Sequence, residues 1–154
     1  MTTIAANRRE MAADSCTSWD SEFFLSSDKI QIIGKSIVGV SGHTPSIAKF
    51  LQWFRAGKGV DVPEFPEDDE KSFVALELNE SGLFVYADAC VGQPLVDAFA
   101  AIGSGGSAAK AALICGKSPR QAVEIAADCD KNTRPPIQRV TLAQALRHAK
   151  KVGA

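Results

Sequence analysis

Residues 101–133 read AIGSGGSAAKAALICGKSPRQAVEIAADCDKNT. Phe99 to Ile102 is strand-like, and GSGGS then opens an Ala-rich helix over about Ala108 to Cys115. Ser118-Pro119 starts a second helix, in which Ala122, Ile125, Ala126 and Cys129 keep helical spacing. Gly103, Gly105 and Ala108 match the GxGxxA pattern of dinucleotide sites, and Glu124 lies roughly twenty residues further on. That site needs a second parallel strand after its helix, and here a second helix follows. Gly116-Lys117-Ser118 resembles the end of a phosphate loop, but Ala111 stands where its first glycine belongs. Two helices in direct succession behind a glycine turn therefore point away from alternating α/β architecture.

Upstream, Thr2 to Ala6 and Met11 to Ser15 read as strands around a turn at Arg8, Arg9 and Glu10. Phe23 to Leu25, Lys29 to Ile33 and Ser36 to Val40 follow, the last two as a hairpin about Gly34-Lys35. The period then changes. Ile47, Phe50, Leu51 and Phe54 form one helical face, with Thr44 or Ser46 as cap, Pro45 in the first turn and Gly57 and Gly59 beyond the end. Residues 61–70, DVPEFPEDDE, read as a solvated connection. Ser72 to Leu78 and Leu83 to Tyr86 are strands. Downstream of Pro135-Pro136, Ile137 to Val140 is a late strand, and Thr141 caps a helix with Leu142, Ala145, Leu146 and Ala149 inward. Hairpins with helices grouped between them give two sheets and helix layers, an α+β class.

The chain has 154 residues, enough for one domain with a core of its own. Lys and Arg total 17 against 18 for Asp and Glu, a balance unlike the basic stripe of a nucleic-acid binder. No apolar run approaches the roughly 18 residues of a membrane helix, and MTTIAANRRE lacks signal-peptide character. A cytoplasmic location is expected. Cys16, Cys90, Cys115 and Cys129 form no CxxC pair and read as free thiols, with Cys115 and Cys129 packing on helical apolar faces. His43 and His148 lie in different surroundings and suggest no metal site, and there is no GxSxG elbow.

Met1 precedes Thr2, a pair from which the initiator is commonly removed. A terminal threonine combines a hydroxyl nucleophile and an α-amine base in one residue, and the free amine has a pKa near 8. In order along the chain, TTIAA, AADS, DKIQIIGKSIVGVSG, AIGSGG and SPRQAVEIAADCDKNT resemble the β-subunits of proteasomes and the bacterial heat-shock-locus protease subunit. These are N-terminal-nucleophile hydrolases of threonine type. The resemblance runs from Thr2 to about Leu142. It implies a four-layer αββα sandwich over residues 1–154.

It also implies roles. Thr2 matches the nucleophile, Lys29 the lysine beside it and Asp14 the acid that orients that lysine. Gly42 matches the glycine whose N–H helps form the oxyanion hole, and Ser104, Asp130 and Thr133 match the supporting cluster. Val40 and Thr44 fall where the family lines its specificity pocket. The chain departs from the family in a shorter first hairpin, so Asp14 comes early and Ala13 stands where glycine is usual. The resemblance implies a homo-oligomeric ring that hydrolyses peptides or unfolded proteins, needs no cofactor, and is fed by a separate ATPase unfoldase. The alternative from another class is a catalytically silent subunit that keeps Met1.

Overall fold

A computed structural model describes residues 1–19, 22–25 and 28–153. Strands β1 (Thr3–Asn7) and β2 (Glu10–Ala13) form a tight hairpin whose turn is held by Asn7. Its Oδ1 accepts the N–H groups of Arg9 and Glu10 at 2.8 and 3.0 Å, so Glu10 already lies in a strand rather than in the expected turn. Among the described residues, strands β3 (Cys16–Trp19) and β4 (Glu22–Leu25) pair with each other alone. Strands β5 (Ile30–Ile33) and β6 (Ser36–Gly42) form the expected hairpin, with Lys29 just ahead of β5 rather than inside it.

Helix α1 (Thr44–Arg55) follows β6. Its N-cap is His43, without a side-chain cap bond, rather than Thr44 or Ser46. Ser46 is buried, and its hydroxyl donates instead to the Lys71 carbonyl at 2.7 Å. Strands β7 (Phe73–Asn79), β8 (Gly82–Tyr86) and β9 (Gln93–Pro94) come next, then β10 (Phe99–Gly103). Helices α2 (Gly106–Ile114) and α3 (Pro119–Cys129), strand β11 (Gln138–Thr141) and helix α4 (Leu142–Lys151) complete the chain. Ser118 and Thr141 each cap their helix in a reciprocal box with Gln121 and Gln144.

One sheet has the order β10-β1-β2-β11 and another β5-β6-β7-β8-β9, with antiparallel pairing throughout. Strand alternation divides the side chains among three cores. Ile4, Ala6 and Met11 pack with Ile37, Leu76, Leu78 and Leu83, which joins the two sheets. A methyl group on Gly39 would stand 2.8 Å from Met11 Sδ and 3.0 Å from Ile4 Cδ1, so this glycine lets the sheets approach. Ala5 and Ala12 point the other way, onto Ala109, Ala112, Ala122 and Ala126 of α2 and α3. Alanine on both sides seats the helices close to the sheet. On the second sheet, Phe50, Trp53 and Phe54 of α1 cover Val38, Val40, Phe73 and Tyr86. The ring centroids of Phe50 and Phe73 are 4.9 Å apart.

The acidic connection over residues 61–70 is largely exposed, although Phe65 tucks against Phe73 at 4.9 Å. Cys115 and Cys129 are exposed, contrary to the packing expected of them. Cys115 lies just past the end of α2, and Cys129 ends α3 on a turn away from the sheet.

Candidate functional site

Thr2 is buried immediately before β1, and its position is fixed through its backbone. The Thr2 carbonyl accepts the Ser104 N–H at 2.9 Å. Gly103, at φ +94°, makes that contact feasible: a methyl group there would fall 1.6 Å from the same carbonyl oxygen. The AIGSGG turn therefore works by backbone approach to the chain start.

Lys29 approaches from the other side. Its Nζ donates to Asp14 Oδ1 at 2.9 Å, to the Met1 carbonyl at 3.0 Å and to the Cys16 carbonyl. Only 7% of the lysine side chain and none of the aspartate side chain are exposed. Burial pushes the ammonium below its ordinary range, while the attraction of Asp14 partly opposes that shift. Asp14 takes three further donors: the N–H groups of Thr3 and Cys16 at 2.9 Å each and of Arg134 at 3.1 Å. With the lysine, they give its two oxygens four partners, which fix the orientation of the carboxylate. The short first hairpin thus still delivers Asp14 to Lys29.

Thr3 was not among the expected site residues, yet it is central. It is fully buried, and its Oγ1 accepts the Gly105 N–H at 2.9 Å and lies 2.6 Å from Thr133 Oγ1. Thr133 Oγ1 donates to Asp130 Oδ2 at 2.7 Å, so the Thr3 hydroxyl donates to Thr133. Ser104 Oγ also donates to Asp130 Oδ2 at 2.7 Å, and Asn132 N–H donates to Oδ1 at 3.2 Å. Burial alone pushes the Asp130 carboxyl up, but these donors outweigh it and hold the group below its usual value. Asp130 is the C-cap of α3. An acid there opposes the helix dipole, and the three donors explain why it is tolerated.

Two groups result. Thr2, Asp14, Lys29 and Gly42 gather about one pocket and its wall, while Ser104, Asp130 and Thr133 hold the neighbouring backbone and Thr3. The pocket measures about 430 Å³ and is lined in part by Thr2, Lys29, Val40, Gly42, Ile47 and Leu51. Thr44 also borders it. Gly42 has φ +137°, and a methyl group on it would meet the Ser72 carbonyl oxygen at 2.4 Å. His43 starts α1 with Nδ1 3.1 Å from Ser46 Oγ, whereas His148 is exposed on α4. The sequence signal for Thr3 is a second β-branched hydroxyl residue at the chain start, which reads equally well as ordinary strand.

No sequence-family model matches the chain, and no curated relative matches it. Solved structures do match. Thiobacillus denitrificans BPH is 22% identical, with a TM-score of 0.69 over 91% of this chain and 96% of that one. Eukaryotic HslV from Trypanosoma brucei is 19% identical, with a TM-score of 0.70 over 90% of this chain and 98% of that one. The Thiobacillus protein in complex with epoxomicin is 18% identical by its alignment, with a TM-score of 0.64 over 91% of this chain and 96% of that one. At such identities the likeness is one of fold: the chain has a mixed α/β fold similar to that of HslV and these proteasome-like structures. No helix among the described residues is long and apolar enough to cross a membrane.

Proposed function

We propose that this chain is a subunit of a proteasome-like peptidase ring, with its four- and five-stranded sheets and flanking helices forming a four-layer αββα domain over residues 1–154. Removal of Met1 makes Thr2 the nucleophile. The observation that carries this reading is the buried Lys29 ammonium, 3.0 Å from the Met1 carbonyl and 2.9 Å from Asp14, beside Thr2 in a pocket of peptide-binding size. With Met1 gone, the Thr2 nitrogen becomes an amine next to a positive charge, which favours its neutral, basic form.

The Thr2 hydroxyl attacks the substrate carbonyl carbon, and its proton passes to the amine. Lys29 stabilises negative charge growing on Oγ, while the Gly42 N–H is the proposed donor to the carbonyl oxygen. The tetrahedral intermediate collapses as the carbon–nitrogen bond breaks, and the amine gives its proton to the departing nitrogen. A water then attacks the resulting ester. It loses one proton to the amine, and that proton returns to Oγ as the acyl group leaves as a carboxylic acid. Asp14 positions Lys29, and Ser104, Asp130 and Thr133 position the Thr2 backbone. Enclosure in a ring, with substrate fed by a separate ATPase unfoldase, belongs to the same reading.

Intact mass and covalent labelling test it together. The expected result is a native chain lacking Met1 that gains one epoxomicin adduct at Thr2. Thr2→Ala then gains none and loses peptidase turnover by at least about a thousandfold. A native chain that keeps Met1 throughout identifies the silent subunit instead. A trimmed chain that takes no adduct removes Thr2 from the mechanism.

A further inference from the structure

A second pocket, of about 440 Å³, meets the first at Gly42 and is bordered by Ser41, Ser72, Gly103, Ser107 and Lys110. Its Gly103 wall touches the Thr2 carbonyl, so both pockets border the residue of the proposed nucleophile. Their linings differ in character. The first carries both Asp28 and Lys29 beside Val40, Ile47 and Leu51, whereas the second carries Lys110 with Ser41 and Ser107 beside Phe73, Val74 and Ile102. None of the described residues lining the second pocket is acidic, and among the described residues Lys110 pairs with no carboxylate.

We infer that the second pocket binds the leaving-group side of the substrate and selects a carboxylate there through Lys110. This rests on Thr2 as nucleophile and on the first pocket as the acyl-side site. A peptide with its scissile carbonyl at Gly42 and its acyl side in the first pocket then directs the residues beyond the broken bond toward the second, which shares Gly42 with it. Hydroxyls of Ser41 and Ser107 donate hydrogen bonds to a carboxylate, and Lys110 supplies the opposite charge, while the Ser72 hydroxyl is already committed to the Asp69 carbonyl at 2.7 Å. The carboxylate is either an Asp or Glu side chain just after the scissile bond or the free C-terminus of a short peptide.

Internally quenched peptides separate these sources. One pair carries Glu or Gln at the first leaving-side residue, and another carries a free or an amidated C-terminus. A coumarylamide with the same acyl sequence reports chemistry without a leaving-side peptide. With the trimmed full-length chain, the expected preference is about threefold to fivefold in kcat/KM for the charged member of one pair. That ratio falls to about one in Lys110→Gln and inverts toward the uncharged member of the pair in Lys110→Glu. A ratio near one in the unmodified chain, or one that survives Lys110→Gln, overturns the inference while coumarylamide turnover leaves the Thr2 reading intact. Failure on both kinds of substrate overturns the Thr2 reading and this inference with it.

Discussion

Lys29 shows how a single side chain reads its surroundings. Buried and bonded to Asp14, it carries its charge at a cost, so its pKa lies below the ordinary 10.5. The unfolded chain therefore binds that proton more tightly, and stability rises with pH between the folded value and 10.5. Turnover has the opposite sign there, because the mechanism needs the charged form. The predicted pH–rate profile is a bell. Its rising limb follows deprotonation of the Thr2 amine, displaced below the usual value of about 8. Its falling limb follows loss of the Lys29 charge before pH 10.5. Steady-state kcat across pH checks this, and a profile flat past the ordinary lysine value would remove the charge from the mechanism. Lys29→Ala should lower turnover by at least about a hundredfold with the circular dichroism spectrum retained. Lys29 and Asp14 were legible in the sequence through the order of the segments around them. Thr3 was not, because a threonine that ties two elements together has the same local pattern as one that only fills a strand.

Among the elements, the glycine turn between β10 and α2 bears the tightest constraint. Gly103 combines φ +94° with a side-chain position occupied by the Thr2 carbonyl. Gly103→Ala should cost more than about 2 kcal/mol in urea unfolding and should lower turnover in whatever protein still folds. Unchanged stability would mean that the Thr2 carbonyl is not seated there. The turn and its two helices were readable because glycine spacing, Ser118-Pro119 and helical periodicity agree with one another. Strand β3 was not readable. Among the described residues it pairs with β4 alone, whose residues are all exposed, and in β3 itself Cys16 is buried and Ser18 exposed, too short a run to show a period. The same lack of a covering neighbour explains Cys115 and Cys129, whose types suggest packing while their turns face outward.

For the molecule as described, three apolar cores position the four- and five-stranded sheets and their helices, and the Thr2 pocket opens where β1, β6 and the start of α1 converge. Hydrophobic periodicity made most of that division legible, since a strand with two buried faces must supply two cores. It could not show the approach at Gly39, which depends on residues distant in the chain. A ring-forming subunit should sediment as a discrete multimer, and peptidase activity should follow the multimer fraction through gel filtration. Activity confined to the monomer peak would reject the enclosed-chamber reading.

Met1 is 58% exposed, while its carbonyl is already engaged by Lys29. In the proposed ring this end of the chain faces an enclosed space, and an aminopeptidase is too bulky to follow it inside. Trimming then has a deadline, set by closure of the particle. A subunit that meets closure untrimmed stays blocked for the lifetime of that particle. The share of dead sites becomes the outcome of a race between two rates, and it grows whenever synthesis outpaces trimming.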